Sequence, residues 1–396
     1  MTSTDDRFPP DAAALLALAA DDLVRLAADR AHGWLRRRAC VEALAGRVAD
    51  RHLPALLPLL HDPAETTELR IALLALLGDR AELLPWLQHP DRDGEAFGLR
   101  EACLAARGVL GDRTATAGLA VLAAEPWQRF RLLGEAGLDA LVGRHGLPAV
   151  LADLGEARPE DRLARDRLRH LAGQDVTASL GDPDRPVAHQ AHLLAADPDR
   201  LRAYLAGQPP VEAALWALCA LHRLTGDAAE PHAWYRRLGR PRVEVPGLSE
   251  EVRRAIVHAY APRCERGTDP RWRTEALFTD PPEPVDTERR LRLATEALSS
   301  AGIDFDPPQS AHEDNGVGEG SYHVLHLAGD SLFISTLGPF AGGPPDDSPV
   351  RAALERAGFR WIDAPAGSAV VTGLCVYYFG DREPLNVNTL LFYWQD

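Results

Sequence analysis

The 396-residue chain contains no lysine; all 43 of its Lys/Arg positions are arginine. A GC-rich genome accounts for this, as it does for the abundance of alanine, leucine and proline. The absence still excludes chemistry: no Schiff-base lysine, phosphate-loop lysine or lysine general base is available. Cysteine is scarce as well. The five residues, at 40, 103, 219, 264 and 375, are odd in number and far apart, with neither a CxxC nor a zinc-type Cys/His spacing. Cys40, Cys103 and Cys219 sit in apolar helical patterns, where a thiol serves as a small core residue; this points to a reducing compartment. Apolar runs of ~18 residues are missing, so no membrane span is expected. The stretch MTSTDDRFPPDAAALLALAADDL has no basic segment ahead of its apolar residues and is interrupted by Asp21 and Asp22. No signal peptide is expected, and the cytoplasm is the expected location.

What is present is a globular composition, 46% hydrophobic and 26% charged, long enough for a repeat array plus a domain. The net charge of −15 is unevenly placed. Residues 1–235 carry −8 and residues 283–396 carry −10, whereas 236–274 hold ten arginines against five acids. An acidic chain with one basic segment suits a protein or peptide partner, itself basic, better than nucleic acid.

Glycine marks an internal repeat. LAGR, LLGD, VLGD, LVGR and LAGQ place glycines at 46, 78, 111, 143 and 173, at intervals of 32, 33, 32 and 30, and LTGD adds Gly226. Each follows an apolar stretch of helical period, where a helix end wants a residue able to turn left-handed. A second element follows at 52–62, 83–91 and 146–154, with proline in its first turn. Two short amphipathic helices per ~30 residues describe an α-solenoid unit. The pattern GDRAELLPWLQHPD…LREACLAARGVLGD resembles the HEAT repeat, in its short PBS-lyase-like form, over roughly residues 30–235, with 174–225 departing from it. The resemblance implies a helical array used as a scaffold or binding surface; a minority of related families are bilin lyases or DNA glycosylases. Arg36–Arg38 cannot all face one way on a helix and are expected on a solvated face.

After TDPPEPVD (279–286) the composition changes, with 12 of the 25 aromatics in 287–396. TERRLRLATEALSSAG reads as a helix burying Leu291, Ala294 and Leu298. SPVRAALERAG reads as another, capped by Ser348 and opened by Pro349. YHVLHL, SLFIST, FRWID, AVVTGLCVYYF and NTLLFYW read as strands, the last two joined by the GDREPL turn. A Gly329–Asp330 turn would set Leu327 opposite Leu332 and Leu325 opposite Ile334, with His323 on that face and His326 on the other. The loop HEDNGVGEGS offers His312, Glu313, Asp314 and Glu319 as weak candidates for a catalytic or metal site; as glycine-rich turn chemistry it needs no such role.

The expected architecture is a mainly α chain: a HEAT-like solenoid over 1–245, a basic connector and linker over 246–286, and an acidic α+β domain with a mostly antiparallel sheet over 287–396. The expected function is a non-catalytic interaction scaffold without metal or cofactor. The alternative is an enzyme with a hydrolase-like or metal-dependent site near His312–Glu319. Trp234, Arg236, Arg237, Arg240, Arg242, Arg253, Arg254, Arg271 and Arg273 are the expected interaction residues. Their arginines are expected to pair with carboxylates in this chain and dock the acidic domain.

Overall fold

The computed structural model describes residues 12–310, 320–376 and 385–393, and the chain divides into two compact units, Met1–Gln174 and Asp175–Asp396. The division falls one residue after Gly173, the last of the evenly spaced glycines. Both boundaries expected from composition, at 245 and 286, lie inside the second unit.

The first unit contains α1 (Ala12–Leu16), α2 (Ala20–Ala28), α3 (Trp34–Ala43), α4 (Leu53–His61), α5 (Thr67–Leu77), α6 (Leu84–Leu87), α7 (Leu99–Val109), α8 (Thr116–Ala124), α9 (Gln128–His145), α10 (Leu147–Asp153) and α11 (Pro159–Leu171). Pro54, Pro85 and Pro148 lie in the first turns of α4, α6 and α10, where a missing N–H costs nothing. Helices α3, α5, α7 and α9 pack in succession, and α2, α4, α6 and α8 lie against them. Gly78 takes the C-cap of α5 at φ −63°, while Gly46, Gly111 and Gly173 turn left-handed at +70°, +86° and +72°. Gly143 departs from the expected register. It lies inside α9, which runs on to His145 and closes at Gly146, φ +81°. One left-handed residue suffices there, and Gly146 is placed directly before the helix that Pro148 opens.

Arg37 corrects the solvated-face expectation. It is buried at the fourth position of α3, where Nε donates to the Ala27 carbonyl and both Nη groups donate to Glu65 at 2.9 and 3.0 Å. Arg70 of α5 repeats the arrangement, on the Leu60 carbonyl and Glu95. Both carbonyls end the preceding helix, so each arginine ties helix, helix and following loop together.

In the second unit α12 (Arg185–Leu194), α13 (Pro198–Ala206), α14 (Val211–Thr225), α15 (Ala229–Arg237), α16 (Glu250–Tyr260) and α17 (Pro270–Phe278) come first. Helix α14 is buried at every position from Ala213 to Leu221 and packs on α12, α13, α15 and α17, the place for a helix that is apolar all round. Then follow α18 (Thr287–Ser300), β1 (Gln309–Ser310), β2 (Tyr322–His326), β3 (Ser331–Ser335), β4 (Phe340–Gly342), α19 (Pro349–Arg356), β5 (Arg360–Trp361), α20 (Ala364–Gly367) and α21 (Val387–Leu391). The sheet runs β1-β2-β3-β4-β5. Its first three pairings are antiparallel and the last is parallel, bridged by α19, so the sheet is mixed. Ala294 and Leu298 of α18 and Leu354 of α19 bury against Leu325, Leu332 and Ile334, and Leu291 is partly buried beside them.

Three strand expectations change. The hairpin loop is Ala328–Gly329, so Leu325 pairs with Leu332 and His323 with Ile334. Asp330 stays in the ladder through two backbone bonds to Leu327. The shift is even, so every side chain keeps its expected face. Residues 388–391, expected as the start of the NTLLFYW strand, lie in helix α21: the Asn386 side chain accepts the Thr389 N–H at 2.9 Å and starts a turn instead. Within 369–376 only isolated bridges form, Val370 with Asn386 and Val376 with Cys264. Residues 380–384 of the GDREPL turn lie outside the described residues.

Candidate functional site

The weak catalytic candidates His312, Glu313, Asp314 and Glu319 lie outside the described residues. Their neighbours behave as the pleat requires: His323 is buried opposite Ile334, and His326 faces the other way toward Ser331 Oγ at 3.2 Å.

The basic segment pairs mostly with itself. Arg253 is buried, donates through Nε and Nη2 to Glu275 at 2.6 Å each and through Nη1 to the Val243 carbonyl, and stacks on Trp272. Arg242 meets Glu250 at 2.6 Å, and Arg271 meets Asp269, which burial pushes up but the Arg271 bonds hold below the usual carboxylate range. Arg236, Arg237, Arg240 and Arg254 are exposed without an ion pair among the described residues, Arg237 lying over Trp234. Among the described residues, none of these eight arginines pairs with an acid of 287–396. An ion pair between the two segments runs the other way, from Arg360 to Glu251 at 3.2 Å. Docking is instead made by backbone: Glu265 and Asp269 N–H donate to the Cys375 and Gly373 carbonyls, Trp272 Nε1 donates to Thr372, and Val371, Leu374, Leu390 and Leu391 share a core with Ile256 and Trp272. Main-chain ladders and apolar area hold where exposed ion pairs contribute little.

Arg273 points elsewhere. Its Nη1 lies 3.3 Å from His189 Nε2 and 3.9 Å from Cys264 Sγ, beside His192, Trp216 and Cys219. Burial, then the Arg273 charge, pushes His189 down to about 4, and burial with the neighbouring His189 pushes His192 down to about 2. Burial pushes the Cys219 thiol up to about 12. Each of these groups is held neutral, a state suited to a packed interior rather than to proton transfer at pH 7. No group of three His, Cys, Asp or Glu able to hold a metal occurs among the described residues.

The first unit exposes the feature that composition passed over. Phe97 and Trp127 are each 65% exposed and cluster with buried Phe130. Phe97 stands edge-on to Phe130 at 4.7 Å and to Trp127 at 6.3 Å. Local chemistry fixes them. Gly98, φ +91°, N-caps α7 and donates its N–H to Glu101 Oε2 at 2.6 Å, which sets Phe97 just before the helix. Trp127 is the N-cap residue of α9. Close helix packing positions the two: a Cβ on Gly108 of α7 would lie 2.8 Å from Gly137 Cα of α9, and one on Gly134 would lie 2.4 Å from Ala123 N of α8. A cleft of ≈ 390 Å³ opens beside Phe97 and Phe130, floored by Cys103, Leu104 and Leu122. Burial pushes Cys103 up to about 12, so it is a thiol, not a nucleophile. On the other side a second cleft of ≈ 550 Å³ is lined by Val41, Ile71, Ala75, Phe97, Arg129 and Phe130, and the apolar surface continues over Leu132 and Val109. The signal in the sequence was two aromatics at helix starts, in EAFGLRE and EPWQRF, where no core periodicity calls for them.

Comparisons with family models, with curated proteins and with solved structures give no match.

Proposed function

We propose that the protein is a HEAT-like interaction protein, whose first unit stacks helix pairs as a solenoid and docks a partner across α3, α5, α7 and α9. The observation that carries this is the exposure of Phe97, which lines two clefts, with Trp127 exposed beside it. Aromatic side chains left in water beside concave apolar surface are the usual anchors of protein interfaces. The succession of α3, α5, α7 and α9, and the arginine ties at 37 and 70, support the repeat reading. No helix among the described residues is long and apolar enough to cross a membrane.

The reading is tested by comparing wild type with the F97S/W127S double variant in crosslinking capture from the native cell, with melting temperature as control. Both side chains are mostly in water, so the melting temperature should stay within a few degrees while the crosslinked partner is lost. Retained crosslinking by a folded variant would end this reading.

A further inference from the structure

Within the docking reading, on which this inference rests, we propose that the partner is basic and that the ≈ 390 Å³ cleft receives one of its arginine or lysine side chains. The argument is a charge account of the cleft's own lining. Three arginines line it, and each meets a carboxylate: Arg92 meets Glu95, which Arg70 also holds, Arg100 meets Glu101 at 2.5 Å, and Arg107 meets Asp112 at 2.8 Å. Three carboxylates line it as well: Glu101, paired with Arg100, and Asp93 and Glu125, neither of which has an ion pair among the described residues. The lining alone is balanced, and with the ion-pair partners included Arg70, Arg92, Arg100 and Arg107 stand against Asp93, Glu95, Glu101, Asp112 and Glu125, which leaves the cleft one charge negative. Its wall is aromatic, formed by Phe97 and Phe130, and ring faces attract cations. Carboxylates without ion-pair partners, aromatic rings and apolar side chains lining one cleft match a side chain with an aliphatic stem and a cationic head. Arg129, which has no ion pair among the described residues, lies over Phe130 at 5.8 Å and lines the neighbouring cleft, not this one. The acidic net charge of the chain, −15, favours encounter with the same class of partner.

Three fluorescein-labelled twelve-residue peptides test this on the full chain. All share one alternating leucine–alanine frame, with arginine, neutral citrulline or glutamate at the same two central positions. We expect the arginine peptide to bind ~10-fold tighter than the citrulline peptide, with the difference shrinking as salt rises. The D93N/E125Q variant should lose that preference, whereas the charge-matched E296Q/D304N variant, at exposed positions of the second unit, should keep it. Equal binding of arginine and citrulline peptides, abolished by F97S/W127S, would overturn the basic-partner inference and leave the docking face standing. Preference for the glutamate peptide would overturn it in favour of pairing with Arg129. A preference lost equally in both charge variants would reduce it to overall charge, and no binding by any peptide would count against both readings.

Discussion

Individual residues carry their effect through what they are buried with. Arg253 and Glu275 are 4% and 6% exposed and joined by two bonds of 2.6 Å. Removing one partner strands the other charge in the interior, so Arg253→Ala should destabilise the second unit by ~3–5 kcal/mol, read by urea unfolding. Replacing Arg242, on the surface, should cost under ~1 kcal/mol. The two histidines on Trp216 add a pH dependence. Their unfolded value is near ~6.5, and the folded values are about 4 and about 2. The unfolded state therefore binds more protons below ~6.5, and the stability contributed by the neutral rings is lost as pH falls from there toward 4. Hydrogen exchange in α12 and α14 should quicken between pH 6.5 and 4.5. A H189Q/H192Q variant should flatten that slope, although His61 and His258, also lowered by burial, leave a remainder. An unchanged slope would show that these rings are not the groups that titrate.

At the level of elements, identical residues at different places in a helix do opposite things. Gly134 of α9 has no room for a methyl, since its Cβ would meet Ala123 N at 2.4 Å, whereas nothing lies within 4 Å of a Cβ on Gly143 in the same helix. Gly134→Ala should therefore lower stability by ~1–3 kcal/mol through overpacking. Gly143→Ala should raise it by ~0.4–1 kcal/mol by restricting the unfolded chain and favouring helix. Thermal unfolding of the two variants side by side checks both. The helix starts and stops were legible because proline and glycine act through their own backbones. The end of α9 was not, because two glycines three residues apart both satisfied the pattern and the flanking packing chose between them. Within the described residues, the strand expectations for 369–376 and 388–393 failed for a related reason. Apolar runs without strict periodicity bury equally well as helix, bridge or extended chain, and Asn386 with the core around Trp272 decided.

The whole molecule is organised by which cores close on themselves. The first unit has its own cores, built from α1 to α7 and from α8 to α11. The fragment 1–174 should unfold cooperatively by itself, whereas 287–396 alone should not, since Val371, Leu374, Leu390 and Leu391 would lose Ile256 and Trp272. Circular-dichroism melts of the two fragments check this; a sharp transition in the second would show a self-sufficient domain. Sequence alone determined the helical repeat spacing, the change of composition near 286, the faces of the hairpin and the absence of lysine chemistry, because periodicity, backbone chemistry and composition are local properties. It did not reveal that Arg37 and Arg70 are buried ties, that the basic segment pairs mostly with its own acids, or that Phe97 and Trp127 stand in water beside a cleft. Those depend on which carbonyl, carboxylate or open space ends up within a few ångströms. Tertiary packing alone decides that.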